Sequence, residues 1–320
     1  MKIKYKTKLR VDGVRGILKS GLKVWAHESN VNIDRPHARK AKMKLIARHP
    51  VRVIKALTGK ELNIGYADVV LTTVCTLRCK GCGALIDYNN QQRHYSLDKI
   101  ITSLTNLLNA VDHINRIHVL GGEPLCYPQL YEVLSFLQKQ KKINSVGITT
   151  NGTLLIKDER VLELLHDKKF HVDISYYGDE VSRKQAELIK QLEENHIRYR
   201  SNTKGDSWIS FGGFDCRNKS ASQLYKSFSY CPFKWCRPIS DGKMFRCSRS
   251  AHGTKLDLIP LEKDEYVDLS RKDYPPQKLK KELFKFLHFP PKYLTCCNYC
   301  NMEPPLTHIE AGVQVPKQAV

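Results

Sequence analysis

From Tyr66 to Ser201 the chain repeats one unit: a short apolar run rich in β-branched residues, a loop, then a segment with helical spacing. That alternation admits few folds. Strands joined through helices must run parallel, because each helix carries the chain back to the end where the strand began. Tyr66–Thr73, Arg116–Leu120, Ser145–Thr150, Phe170–Ser175 and Ile197–Ser201 read as strands, with Trp208–Phe211 as a sixth. Ser96 precedes a stripe of Leu97, Ile100, Ile101, Leu104, Leu107, Leu108 and Val111, the pattern of a capped amphipathic helix. Pro128 opens a second helix, Asp158 caps a third, and Val181–Asn195 reads as a fourth. The expected fold is α/β: a partial (βα)6 barrel of parallel strands, smaller than the closed eight-unit form.

The alternation spans only the middle of the chain. Residues 1–60 hold 17 Lys and Arg against 3 Asp and Glu, a balance of +14 out of a total of +21. This segment reads as a basic helical extension, with apolar positions Val14, Ile17, Leu18, Leu22 and Trp25, and a second helix opened by Pro36. Such helices suit contact with an anionic membrane surface, or packing on the domain that follows. The partial barrel is assigned to 61–212. Residues 213–320 are loop-rich and carry seven of the eleven cysteines, with a helix near Gln277–Leu287, and read as a module held together by metal. No run approaches a membrane span and no apolar segment follows the basic N-terminus. Many cysteines without a secretory signal point to a reducing compartment. The expectation is a cytoplasmic protein, peripheral to the membrane if the basic helices touch it.

Two cysteine groups carry the chemistry. Cys75, Cys79 and Cys82 follow the first strand at C-x3-C-x2-C spacing. Soft thiolate ligands suit iron–sulfur clusters or zinc. Three are one short of a full set for a four-iron cube, so either a distant residue completes it or one iron stays open. The second group is Cys236, Cys247, Cys297 and Cys300, with Cys231 as the alternate first ligand; zinc on the same thiols is the plainer reading. Functional groups of a parallel barrel gather at the C-terminal strand ends. There stand Gly121-Gly122-Glu123-Pro124, Thr150-Asn151-Gly152, and Asp173 with Ser175. The two glycines are expected to let backbone approach a ligand, and Glu123 to accept from an ammonium group.

These three pieces, Cys75-x3-Cys79-x2-Cys82, Gly121-Gly122-Glu123-Pro124 and Thr149-Thr150-Asn151-Gly152-Thr153, resemble the radical S-adenosylmethionine (SAM) superfamily over residues 66–211. The resemblance implies a [4Fe–4S] cluster on the three cysteines, with SAM chelating the open iron. Reductive cleavage of SAM then yields a 5′-deoxyadenosyl radical that takes a hydrogen atom from the substrate. It implies that Glu123 binds the methionine amino group and that Gly121, Gly122, Asn151 and Ser175 contact SAM. The residue before the last cysteine is often aromatic in that family and packs on adenine. Here it is Gly81, so stacking falls to Tyr88 or an apolar strand residue. The second group, with Gly242 between Cys236 and Cys247, is similar to SPASM and Twitch auxiliary modules and implies a second [4Fe–4S] cluster. The layout past residue 60 also resembles radical SAM proteins associated with bacterial glycan biosynthesis.

The resemblance implies a radical SAM oxidoreductase or epimerase acting on a small sugar- or glycan-type substrate, with Arg217, Arg246 and Arg249 as candidates to hold a substrate phosphate. Cys216, or whichever of Cys231 and Cys236 is not a ligand, is the candidate hydrogen donor for epimerisation. A flavodoxin or ferredoxin is the expected reductant. Two other readings remain at this level: a peptide-modifying maturase, and a non-catalytic cysteine-rich protein that binds nucleic acid through its basic N-terminus. The GGEP turn argues against nucleic acid as a partner.

Overall fold

The computed structural model describes residues 59–202 and 207–316. The basic helices expected in residues 1–58, and the membrane contact assigned to them, lie outside the described residues. Strands β1 (Asn63–Val70), β2 (His113–Leu120), β3 (Ile143–Thr150), β4 (Phe170–Ile174) and β5 (Tyr199–Ser201) pair in parallel and in sequence order. Helices α1 (Leu97–Ala110), α2 (Leu130–Gln138), α3 (Glu159–Leu165) and α4 (Gln185–Glu194) connect them. Asp158 caps α3 by accepting the Arg160 N–H at 3.0 Å. Ser96 occupies the expected cap of α1 with extended backbone, but its hydroxyl makes no capping bond.

Strand side chains alternate between two environments. Ala67, Val69, Ile117, Val119, Val146, Ile148, Val172 and Ile174 are buried against Leu104, Leu107, Leu134 and Leu188 of the helices. Each leucine in this core contributes about 1.5–3 kcal/mol by leaving water. The opposite face is layered by register. Ile64, Ile114 and Ile143 form an apolar row at the base, followed by Tyr66, Arg116 and Ser145. Asp68, His118, Gly147 and His171 lie side by side above them, then Thr149, Asp173 and Arg200 near the strand ends. Polar side chains therefore line this face just below the loops that carry the motifs.

The sixth strand differs from the sequence expectation. β6 (Ser207–Ile209) leaves the sheet and pairs antiparallel with β10 (His308–Glu310). Four alternating residues hold no information on which edge they join, and Trp208 is drawn aside by edge-on packing against Tyr177, 5.5 Å between ring centres. The edge beside β1 is taken by β7 (Pro238–Ser240), parallel to β1. β8 (Lys243–Phe245) and β9 (Tyr266–Asp268) follow antiparallel. The result is one eight-stranded sheet in the order β5-β4-β3-β2-β1-β7-β8-β9. Helices α5 (Ala221–Tyr230), α6 (Ser248–Gly253) and α7 (Pro276–His288) complete the cysteine-rich part, and Leu279, Leu283 and Leu287 of α7 join the main core. Among the described residues no helix is long and apolar enough to cross a membrane.

Candidate metal centre

The loop of Cys75, Cys79 and Cys82 leaves the C-terminal end of β1. Arg78 ties it together by donating to the carbonyls of Asp87 and Asn89 and to Asn90 Oδ1. Every thiol in the loop accepts hydrogen bonds. Cys75 Sγ lies 3.5 Å from the Leu77 N–H and 3.6 Å from Asn151 Nδ2. Cys79 Sγ accepts from Gln314 Nε2 at 3.1 Å. Cys82 Sγ accepts backbone N–H groups of Ile86, Ala84 and Leu85. Burial pushes the Cys75 thiol up to about 12 and the Cys79 thiol to about 11. Without a metal these sulfurs would stay protonated, whereas the donors around them suit thiolates held by an iron cluster. The donor set fits the [4Fe–4S] group that the resemblance implies.

Gly81 has a left-handed backbone (φ +70°), and its N–H donates to Asp87 Oδ2 at 2.8 Å. A Cβ there would meet Ile309 Cδ1 at 2.5 Å. Ile309, carried by β10 from the far end of the chain, thus occupies the space that a side chain at position 81 would take. Together with Lys80, Cys82, Tyr88, Phe211 and Arg249 it lines a cavity of about 240 Å³ beside the cysteine loop. Tyr88, the stacking candidate, packs edge-on against Phe214 at 4.9 Å. Ile309 carried no signal in the sequence.

In the GGEP turn the glycines serve a close backbone approach within the protein. A Cβ on Gly121 would strike the Thr72 carbonyl, and one on Gly122 the Val74 carbonyl. The glycines let the end of β2 press onto the backbone after β1, where Gly122 N donates to Thr72 O and Glu123 N to Val74 O, both at 2.8 Å. Glu123 is fully buried; its two oxygens accept the N–H groups of Leu125 at 3.0 Å and Asn151 at 2.8 Å. Burial raises this carboxyl to about 7, against those hydrogen bonds. Asn151 reaches the metal loop, donating to Thr76 Oγ1 at 3.1 Å and toward Cys75 Sγ. Ser175 lies at the end of β4, bonded through its N–H to Thr150 O. Tyr177 hydrogen-bonds with Ser175 and senses all three thiols of the loop. Its position under Gly312 was not readable from sequence spacing.

The second cysteine group surrounds a pocket lined by Cys231, Cys247, Cys296, Cys297 and Cys300, with Phe211, Phe228 and Phe233. Cys247 stands before α6, accepts N–H groups from its first turn and hydrogen-bonds with Cys296, which lowers its thiol below the usual range. Cys236 is not among the lining residues; burial raises it to about 12, and the Asp68 carboxyl pushes it in the same direction. Cys296, unassigned in the sequence reading, lines the pocket beside the expected ligands. No three cysteine sulfurs among the described residues lie within 4.8 Å of one another, whereas thiolates on a single zinc stand about 3.8 Å apart. Cys216 is exposed, near Asn218 and Asn298. Arg246 and Arg249, two of the candidates to hold a substrate phosphate, are both buried. Arg246 is buried over the Phe286 ring, and Arg249 donates to the carbonyls of Tyr299, Gly212 and Gly213.

Residues 69–202 match the family model of the radical SAM superfamily. These residues form a radical SAM domain. Such a domain takes a [4Fe–4S] cluster and SAM as cofactors. GTP 3′,8-cyclase of Syntrophomonas wolfei is 32% identical over 100 residues, 31% of this chain and 30% of that protein. GTP 3′,8-cyclase of Clostridium perfringens is 29% identical over 232 residues, 66% of each. The chain therefore spans about a third of the first of these relatives. Among solved structures, BtrN in complex with AdoMet and 2-DOIA shows 13% identity, covering 75% of this chain and 94% of that one, with a TM-score of 0.45. SuiB of Streptococcus suis bound to S-adenosylmethionine shows 19% identity, covering 62% and 45%, with a TM-score of 0.37.

Proposed function

We propose that this radical SAM protein acts on a hydroxyl-rich small molecule, of sugar or glycan type, held against the polar face of the sheet. Cys75, Cys79 and Cys82 would hold the SAM-binding cluster; when bound, cluster and SAM supply a 5′-deoxyadenosyl radical under reduction by a flavodoxin or ferredoxin. Glu123 would accept the methionine ammonium, while Asn151 and Gln314 fix the thiolates. The observation that carries the substrate class is the row Asp68, His118 and His171, with Tyr66 and Asp173, directly below the motif loops. These side chains hydrogen-bond to oxygens and offer nothing to an apolar substrate.

In this reading Cys231, Cys247, Cys297 and Cys300 hold a second [4Fe–4S] cluster, and Cys231 replaces Cys236 in the set. Residues 61–212 act as the radical-generating unit and 213–320 as the auxiliary one. The auxiliary cluster would accept an electron in an oxidation; Cys236 or Cys216 would return a hydrogen atom in an epimerisation. A second reading takes a purine nucleotide as substrate, favoured by the name GTP 3′,8-cyclase borne by the relatives. Anaerobically reconstituted protein given SAM and dithionite should release 5′-deoxyadenosine. With perdeuterated sugars, nucleotide sugars or GTP, the correct substrate transfers deuterium into that product. Release that a Cys75→Ala variant leaves unchanged would defeat the assignment, and transfer from GTP alone would select the second reading.

A further inference from the structure

A third cluster of ligand-type side chains lies on the polar face of the sheet. His118 from β2, His171 and Asp173 from β4 bring Nε2, Nε2 and a carboxylate oxygen within 4.8 Å of one another. Asp173 Oδ2 stands 3.2 Å from His171 Nε2 and 3.8 Å from His118 Nε2. None of the three atoms has an aligned hydrogen bond, although all are buried. The close His171–Asp173 pair satisfies at most two of these atoms when the imidazole is protonated, so their convergence with His118 is costly unless something else occupies that point.

The surroundings are built for this convergence. His118 and His171 belong to one cross-strand row with Gly147 between them. A Cβ at Gly147 would come 2.8 Å from His171 Nε2 and 3.1 Å from His118 Cδ2, so only glycine lets both rings lean over β3. The rings stand edge to face, 5.9 Å between centres, and Tyr66 backs His118 at 5.0 Å. Arg200 donates its Nε to Asp173 Oδ1 at 2.7 Å, and its Nη2 pairs with the same oxygen. That orients the carboxylate and leaves Oδ2 for the histidines, as hydrogen-bonded carboxylate ligands are oriented in metal sites.

We propose that His118 Nε2, His171 Nε2 and Asp173 Oδ2 bind a first-row divalent cation. Two imidazoles and one carboxylate on one side of an ion form the facial ligand set that holds Fe2+ with open positions. Those positions face the polar side of the sheet, where water or a ligand oxygen can fill them. Arg116, Asp68 and Arg200 are the other charged groups on this part of the face, and none supplies a competing donor to the three atoms.

Mn2+ is the probe, because it favours nitrogen and oxygen donors over the thiols elsewhere in the chain. Cluster-loaded, anaerobic protein is titrated with Mn2+ while the free-ion electron paramagnetic resonance signal is followed. The wild type should remove one Mn2+ per chain. His171→Ala and Asp173→Asn should each weaken uptake at least about tenfold, and Arg200→Ala by less. Iron content, circular dichroism and SAM cleavage read in the same samples show whether each variant stays folded and loaded. No uptake by wild type at millimolar Mn2+, or equal uptake by folded His171→Ala protein, would overturn the site.

Discussion

Glu123 illustrates how one side chain is tuned by its address. It is fully buried, and burial lifts its carboxyl to about 7. A SAM ammonium needs the ionised form. As pH falls through about 7 the carboxylate takes up a proton, so SAM affinity should fall on the acid side of neutrality. Glu123→Gln should weaken SAM binding by roughly ten- to a hundredfold, the value of a hydrogen bond to a charged group, and flatten that pH dependence. Equilibrium dialysis of labelled SAM against reconstituted protein measures both. Gly81 is constrained by its positive φ and by Ile309. Gly81→Ala should cost about 1–2 kcal/mol from backbone strain alone. Thermal unfolding should show Ile309→Ala recovering only the contact part of that loss.

At the scale of elements, the last described segment matters more than its length suggests. Val313–Val315 lies along the cysteine loop: Lys80 N donates to Val313 O at 2.7 Å and Val315 N to Arg78 O at 2.9 Å. Gln314 reaches both the Arg78 N–H and Cys79 Sγ. A hydrogen bond to a cluster sulfur stabilises the more negative, reduced state and raises the potential. Gln314→Ala should therefore lower the midpoint potential of the SAM-binding cluster, on the order of tens of millivolts, in a redox titration. The core beneath is ordinary in its energetics. Leu107→Ala on α1 should cost about 2–5 kcal/mol in urea unfolding, since Leu107 is fully buried.

For the whole molecule, the proposed ligand sets divide the iron between two thiol sites. Cys231→Ala should drop the reconstituted protein from about eight irons per chain to about four, while Cys236→Ala keeps about eight. Iron and sulfide assays separate the two outcomes. Local signals were legible in the sequence: the cysteine loop after β1, the Asp158 cap, the α1 stripe and the GGEP turn all depend on residues near one another. Longer-range placements were not. Ile309 over Gly81, Gln314 on Cys79, and β10 drawing β6 from the barrel join residues about a hundred to more than two hundred positions apart. His118 and His171 read as polar positions in alternating strands, but their meeting depends on register across Gly147, which no single strand encodes.

The parallel pairing of β7 with β1 has a mechanical consequence. Ser240 lies opposite Val70, five residues before Cys75, while β7 begins just after Cys236 and leads by a short hairpin to Cys247. Electron tunnelling decays exponentially with distance, so a relay between centres works only while its gap stays constant. Here Cys75 and Cys247, one thiol from each site, both follow strands of the same sheet. For centres held on these thiols, the spacing an electron must cross is set by backbone hydrogen bonds, not by a hinge between two bodies.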